Sequence, residues 1–265
     1  MTQSFAVSNF RLNRGNLRFL PHLIEAGQAF DIHPAIIATI VTAEAVTRPW
    51  DGDVSWDERS QNDRGEAAGL AQFTRSSWLA HAHRIGSVVN RHAVDMGMAG
   101  QDGTIIDETS LLEARFDTRL SLFATAEMAR RNWAYLDGRG LALHARGIGE
   151  VAKMLYLAHH EGAEGAFRYL IGARPSVSRA RLESNLPPRL WPTDDLARSA
   201  RSAYYAWLED YIDRRIDVRR YLADSAAVTV PRLARLGRLK PLKLVRLRLR
   251  GLMSKIRLMA VSCLR

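Results

Sequence analysis

The chain has 265 residues, 47% of them hydrophobic, which suits one large domain with a sizeable core or one domain with appendages. Its single cysteine, Cys263, excludes an internal disulfide framework and a Cys-rich zinc site. The net charge of +10 is local: residues 231–265 carry 11 Lys and Arg and no acid, which leaves 27 basic against 28 acidic residues before them and excludes a nucleic-acid face spread over the fold.

The first twenty residues, MTQSFAVSNFRLNRGNLRFL, hold no apolar core of a secretory signal, so export by that route is not expected. No apolar run approaches the roughly 20 residues that span a bilayer. A first helix is expected at 21–30, with Pro21 in its first turn and Leu20, Leu23, Ile24 and Gly27 at helical spacing. DIHP breaks it, and Pro34 opens a second helix at 34–47. Residues 48–69 are polar and turn-rich, a long loop or a small hairpin. Thr74 is the expected N-cap of the next helix, followed by a short helix at 87–98. A long helix is predicted at 118–136, stopped by Gly138. Helices at 146–158 and 163–171 follow, then a linker at 185–195 and a last helix at 194–223. No internal repeat or strand alternation appears, so the expected class is mainly α with at most a small hairpin.

The stretch TIVTAEAVTRPW (39–50) contains one carboxylate, Glu44, in a largely apolar run. Ile37, Ile40, Val41 and Glu44 fall at i, i+3, i+4 and i+7, one helix face. Desolvation and the negative helix end both favour the protonated carboxyl there, the form that a general acid needs. The competing reading is structural: Arg48 lies four residues on, the spacing of a helix-stabilising ion pair worth roughly 0.2–0.5 kcal/mol. Further along, GLAQF (69–73) opens a helix in an unusual way. Gly69 permits a tight turn, and the amide of Gln72 suits sugar hydroxyl and N-acetyl groups.

Taken in order, TAEAV, GLAQF, RFDTRLSLFATAEMARRNW (115–133) and KMLYLAHHEGAEGAF (153–167) resemble the lysozyme-like superfamily, most closely the lytic transglycosylases that cleave peptidoglycan. The resemblance covers about residues 20–170. It implies a lysozyme-like helical domain with a cleft, Glu44 as catalytic acid, Gln72 and Phe73 as substrate-binding residues, and Tyr156 facing the acid. Ala45 stands where the family usually has Ser, Ala71 where its glutamine motif has Met, and the spacing from Glu44 to Gln72 is longer than in the commonest subgroup. The implied organisation is a glycan-cleaving domain at 1–184, a linker and long helix at 185–230, and a basic tail at 231–265.

The resemblance implies a single-carboxyl cycle on the bond between N-acetylmuramic acid and N-acetylglucosamine, with no cofactor. A hydrolytic muramidase of the same fold, or a non-catalytic helical protein binding wall or membrane, are the alternatives. Two-carboxyl hydrolysis needs a second acid, for which Asp51, Asp53, Asp57, Asp63 and Glu66 are candidates; turn and surface roles compete for each. His81, His83, His159 and His160 lack acidic partners at metal-site spacing, so no metal is expected. Trp50, Trp56 and Trp78 are candidates for sugar stacking or for packing. The tail interleaves Leu with Arg and Lys, which favours an anionic membrane surface or wall polymer over nucleic acid, with a solvated tail as the alternative. The expected partner is peptidoglycan, and the expected site of action is the bacterial cell envelope or periplasm.

Overall fold

The computed structural model describes residues 9–61, 66–191 and 197–239. They form, in chain order, α1 (Leu20–Phe30), α2 (Pro34–Glu44), β1 (Thr47–Trp50), β2 (Asp53–Trp56), β3 (Ala67–Ala68), β4 (Phe73–Thr74), α3 (Arg75–Ala82), α4 (Val88–Asp95), α5 (Glu108–Glu113), α6 (Thr118–Leu136), α7 (Ile148–Leu170), α8 (Arg179–Asn185), α9 (Ala197–Arg215) and α10 (Leu233–Leu236). The fold is mainly helical, with two short antiparallel strand pairs.

Helix α2 is the centre of the core. Pro34 through Val41 and Ala43 are all buried, and only Thr42 and Glu44 are partly open. The apolar positions therefore do not form one stripe, because the helix is enclosed on every face. Its start is set by Pro34 at the first position and by the His33 side chain, which accepts from Ala35 N at 3.1 Å. Its end comes at Glu44, three residues earlier than the sequence suggests. Ala45 turns extended, β-branched Val46 and Thr47 follow, and Pro49 biases Arg48 towards β geometry.

The turn-rich segment is a hairpin. Strands β1 and β2 pair from Thr47↔Trp56 to Trp50↔Asp53 around Asp51-Gly52, both at positive φ, as a two-residue hairpin turn requires. Helix α6 begins where expected, with the Asp117 side chain accepting from Leu120 N at 2.6 Å. Thr74 caps α3 by accepting from Ser77 N. The two helices expected at 146–158 and 163–171 lie within α7, which is interrupted at Gly162 (φ 74°, ψ 159°).

One core joins α1, α2, α6, α7 and α9, and it extends from Phe19 to Leu236. A second cluster, with Phe73, Trp78, Val89 and Leu111, lies under α3, α4 and α5. Segment 185–230 is therefore more than a linker and appended helix: Tyr204, Tyr205, Leu208 and Ile212 of α9 are buried in the first core. Helix α9 stops at Arg215 instead of running to 223, because the Asp217 side chain captures Arg219 N and starts a short 3-10 turn. The basic segment from 231 also begins inside the fold. Leu233 and Leu236 are buried, and Leu239 N donates to Leu170 O at 2.7 Å. Residues 240–265, with most of the tail's charge and Cys263, lie outside the described residues. Among the described residues no helix is long and apolar enough to cross a membrane.

Candidate active site

An open cleft of about 1400 Å³ lies between the two cores. Its walls come from the end of α2, the β3–β4 turn, α3, α6, the broken middle of α7, α8 and the end of α9. Glu44, the last residue of α2, is partly exposed and lines it.

The Tyr156 phenol donates to Glu44 Oε1 at 2.7 Å. Tyr156 itself is fully buried. Burial, and after it the charge of Glu44, push that phenol well above its ordinary pKa, so it remains a donor. Among the described residues no other hydrogen bond reaches the carboxyl. Arg48 does not. The early end of α2 puts it in β1, where it pairs with Asp57.

Tyr156 also stacks with His159 (6.2 Å between centroids) and with Tyr211 of α9 (6.3 Å). The Tyr211 hydroxyl donates to Ala43 O at 2.9 Å, and Arg215 Nη1 reaches the same oxygen at 3.4 Å. Terminal carbonyls of a helix have no partner inside it, so α9 supplies what the end of α2 lacks and fixes where Glu44 starts. Burial lowers the His159 pKa, opposed by the charge of Glu44, which favours the neutral imidazole. Its Nε2 lies 3.1 Å from Ala71 O.

Gln72 lines the cleft on the opposite wall. Its Nε2 donates to Ser60 O (3.1 Å) and Gly69 O (2.9 Å), so its amide donors are committed to bracing its own loop. What remains to face a ligand in the cleft is its carbonyl oxygen. The loop depends on Gly69, at φ +77°, where a Cβ would lie 2.1 Å from Arg115 O. Phe73 is 2% exposed and packs on Trp78, His81 and His159, so it supports the cleft wall from beneath and offers no open face to a sugar. Trp56 and Trp78 are buried and donate to Thr42 Oγ1 and Leu111 O. Trp50 is exposed on the hairpin, under the Arg18 guanidinium.

None of the described second-acid candidates lines the cleft. Asp51 pairs with Arg14, Asp53 accepts from Gly15 N and Asn13, and Asp57 holds Arg48. Glu66 is exposed, and Asp63 lies outside the described residues. The second carboxylate in the cleft is Glu161, beside the break at Gly162. It accepts from Tyr204 (2.6 Å) and Arg181 (2.7 Å) and lies 2.9 Å from His160 Nδ1. Burial alone raises its pKa, but these hydrogen bonds and charges outweigh it and hold the carboxyl below its usual range. Among the described residues no three His, Cys, Asp or Glu side chains converge as metal ligands. His81 lies 3.8 Å from Glu127, while His83 Nδ1 faces Gly103 O at 2.9 Å.

The sequence offers Glu44, Gln72 and Tyr156; the fold brings Glu44 and Gln72 to one cleft and buries Tyr156 behind Glu44, bonded to its carboxyl. The sequence gives no warning of Tyr211, Arg215, Glu161 or Arg181. The one local sign is HHEG (159–162), where a helical run of titratable residues ends in a glycine able to break it. No protein-family model and no curated protein matches the chain.

Proposed function

We propose that this protein is a peptidoglycan lytic transglycosylase that cleaves the bond from N-acetylmuramic acid to N-acetylglucosamine with Glu44 as its single acid and base. The observation that carries this reading is the carboxyl of Glu44, held through one oxygen by Tyr156 at 2.7 Å in an open cleft. A general acid needs that arrangement: one oxygen oriented, the other left to exchange a proton. In the proposed cycle, protonated Glu44 gives its proton to the glycosidic oxygen, and the substrate's own N-acetyl group stabilises the developing positive charge. The ionised carboxylate then removes the proton of the C6 hydroxyl, which closes a 1,6-anhydro ring without water. The high pKa of Tyr156 suits it to both stages, since it donates to Glu44 in either form.

Hydrolysis by two carboxyl groups is the runner-up. It is disfavoured because Glu161, the other carboxylate lining the cleft, is already occupied by Tyr204, Arg181 and His160. A purely structural Glu44 is disfavoured because Arg48 pairs with Asp57. The substrate sets the site of action as the bacterial cell envelope, where the basic tail would bind an anionic membrane surface or wall polymer.

The test is muropeptide analysis of digested sacculi with the wild-type chain and with Glu44→Gln. Anhydro ends from wild type and none from the variant support the reading. Reducing ends in their place convert it to a muramidase. No release by wild type, or near-normal release by the variant, removes it.

A further inference from the structure

Among the described residues four arginines line the cleft, and their positive charges are not equally spoken for. Arg181 is committed to Glu161 and to the Tyr204 hydroxyl. Arg215 reaches Ala43 O and lies over the Tyr211 ring. Arg84 and Arg131 differ. Neither guanidinium has a hydrogen bond or ion pair to any other described residue, and Arg131 Nη1 is buried with no partner among them. A buried charged donor left unpaired is costly, so an anionic ligand that pairs with Arg131 Nη1 would be favoured at this wall.

The two residues sit together for local reasons. Ser77, Ala80 and Arg84 recur at the spacing of one face of α3 and the turn after it, and Met128, Arg131 and Asn132 recur on one face of α6. These faces form one wall of the cleft. Burial, and next the positive charge of Arg84, lower the Arg131 pKa; the charge of Glu127 opposes them. Glu127 does not line the cleft, and its carboxylate accepts from Val88 N at the start of α4. The two described carboxylates that do line the cleft belong to other elements, Glu44 to the end of α2 and Glu161 to α7. This wall therefore presents two adjacent cations and no anion of its own.

We infer that Arg84 and Arg131 form a subsite for a carboxylate carried by the glycan, reached by a substituent of the strand while the sugar backbone lies at Glu44. The inference rests on the glycan-binding reading above. In that substrate carboxylates come from two sources: the lactyl arm of N-acetylmuramic acid when it bears no peptide, and the peptide stem when it does. A guanidinium pair binds either by charge-assisted, bidentate hydrogen bonds. A neutral N-acetylglucosamine oligomer offers nothing to this wall.

Calorimetric titration of the Glu44→Gln chain, which keeps ligands uncleaved, tests the subsite. Three soluble oligosaccharides of equal length serve as probes: one with peptide stems, one stripped of stems by an amidase, and neutral N-acetylglucosamine. At least one carboxylate-bearing probe is expected to bind about 10-fold or more tighter than the neutral one, and which of the two does so identifies the source. Adding Arg84→Gln or Arg131→Gln is expected to remove most of that preference. Arg84→Gln, at an exposed position, guards against a folding defect at Arg131. Equal affinity for all three probes, or a preference that survives both substitutions, overturns the subsite while leaving the glycan reading in place. If none of the three binds, the glycan reading itself has failed. Binding with the expected preference by a wild-type chain that releases no muropeptide keeps the subsite and removes the enzyme.

Discussion

Tyr156, in the middle of α7, donates its phenol hydrogen to Glu44 at the end of α2, over 2.7 Å and 112 residues of sequence. That bond orients one carboxyl oxygen. Hydrogen bonds to charged groups contribute about 1.5–3 kcal/mol, so under the proposed function Tyr156→Phe is expected to lower kcat roughly 10- to 150-fold on peptidoglycan strands, with KM little changed. Steady-state kinetics on purified strands checks this, and a full-rate Phe variant would show that the bond is only structural.

Tyr211 acts one step behind. Its hydroxyl ties Ala43 O to α9, and Arg215 at 3.4 Å is a poor replacement. Tyr211→Phe is expected to cost about 1 kcal/mol, or about 2–4 °C in Tm for a domain of this size. A thermal melt measures this directly. An unchanged Tm would mean that Ala43 O is satisfied without the phenol.

Glu161 gives the fold a dependence on acid. Its carboxyl in the folded chain titrates below the ordinary glutamate value of about 4.3. A depressed carboxyl contributes stability that is complete above the unfolded pKa and is lost as pH falls through the folded one. Wild type is therefore expected to lose Tm below about pH 4 more steeply than Glu161→Gln, although the variant is less stable at neutral pH. Melts from pH 7 to pH 3 give both slopes, and parallel curves would remove Glu161 as a contributor.

Lys153 is buried in α7 and pairs with Asp213 of α9, whose Oδ1 also accepts from Leu233 N at 2.8 Å. One carboxylate thus links α7, α9 and the segment that starts the basic tail. Lys153→Ala strands the acid next to a buried cavity and is expected to cost about 3–5 kcal/mol, whereas an apolar pair at both positions removes the stranded charge and leaves only Leu233 N without its acceptor, a smaller cost of about 1–3 kcal/mol. Urea denaturation separates the two cases. A mild loss in the alanine variant would show that solvent reaches Asp213 easily.

Much of the helical fold is legible along the chain because its signals act locally. Asp117 and Thr74 cap their helices through bonds spanning three residues, Pro34 opens α2, and Gly162 breaks the long helix between the two segments that periodicity separates. The misreadings have equally definite causes. The sequence allows α2 to run to residue 47, but the approach to Pro49 pulls the chain into a hairpin. That shift moves Arg48 from the helical i+4 position after Glu44 to a strand, where it pairs with Asp57. The helix expected to 223 is cut short by an aspartate that bonds its own backbone.

The sequence by itself determined the mainly helical class, most helix starts and the concentration of charge in residues 231–265, and its family resemblance offered Glu44, Gln72 and Tyr156 as candidate site residues. Capping, periodicity and charge runs are properties of neighbours, so neighbours suffice to read them. Only the tertiary structure decided that Glu44 meets Tyr156 and not Arg48, and that the donors of Gln72 turn inward. It alone brought Tyr211 back across 168 residues to hold Ala43, and it left Arg84 and Arg131 lining the cleft with no ion pair among the described residues. Those outcomes depend on which buried surfaces find each other. Core packing chooses among such long-range pairings, and no local pattern in the chain encodes the choice.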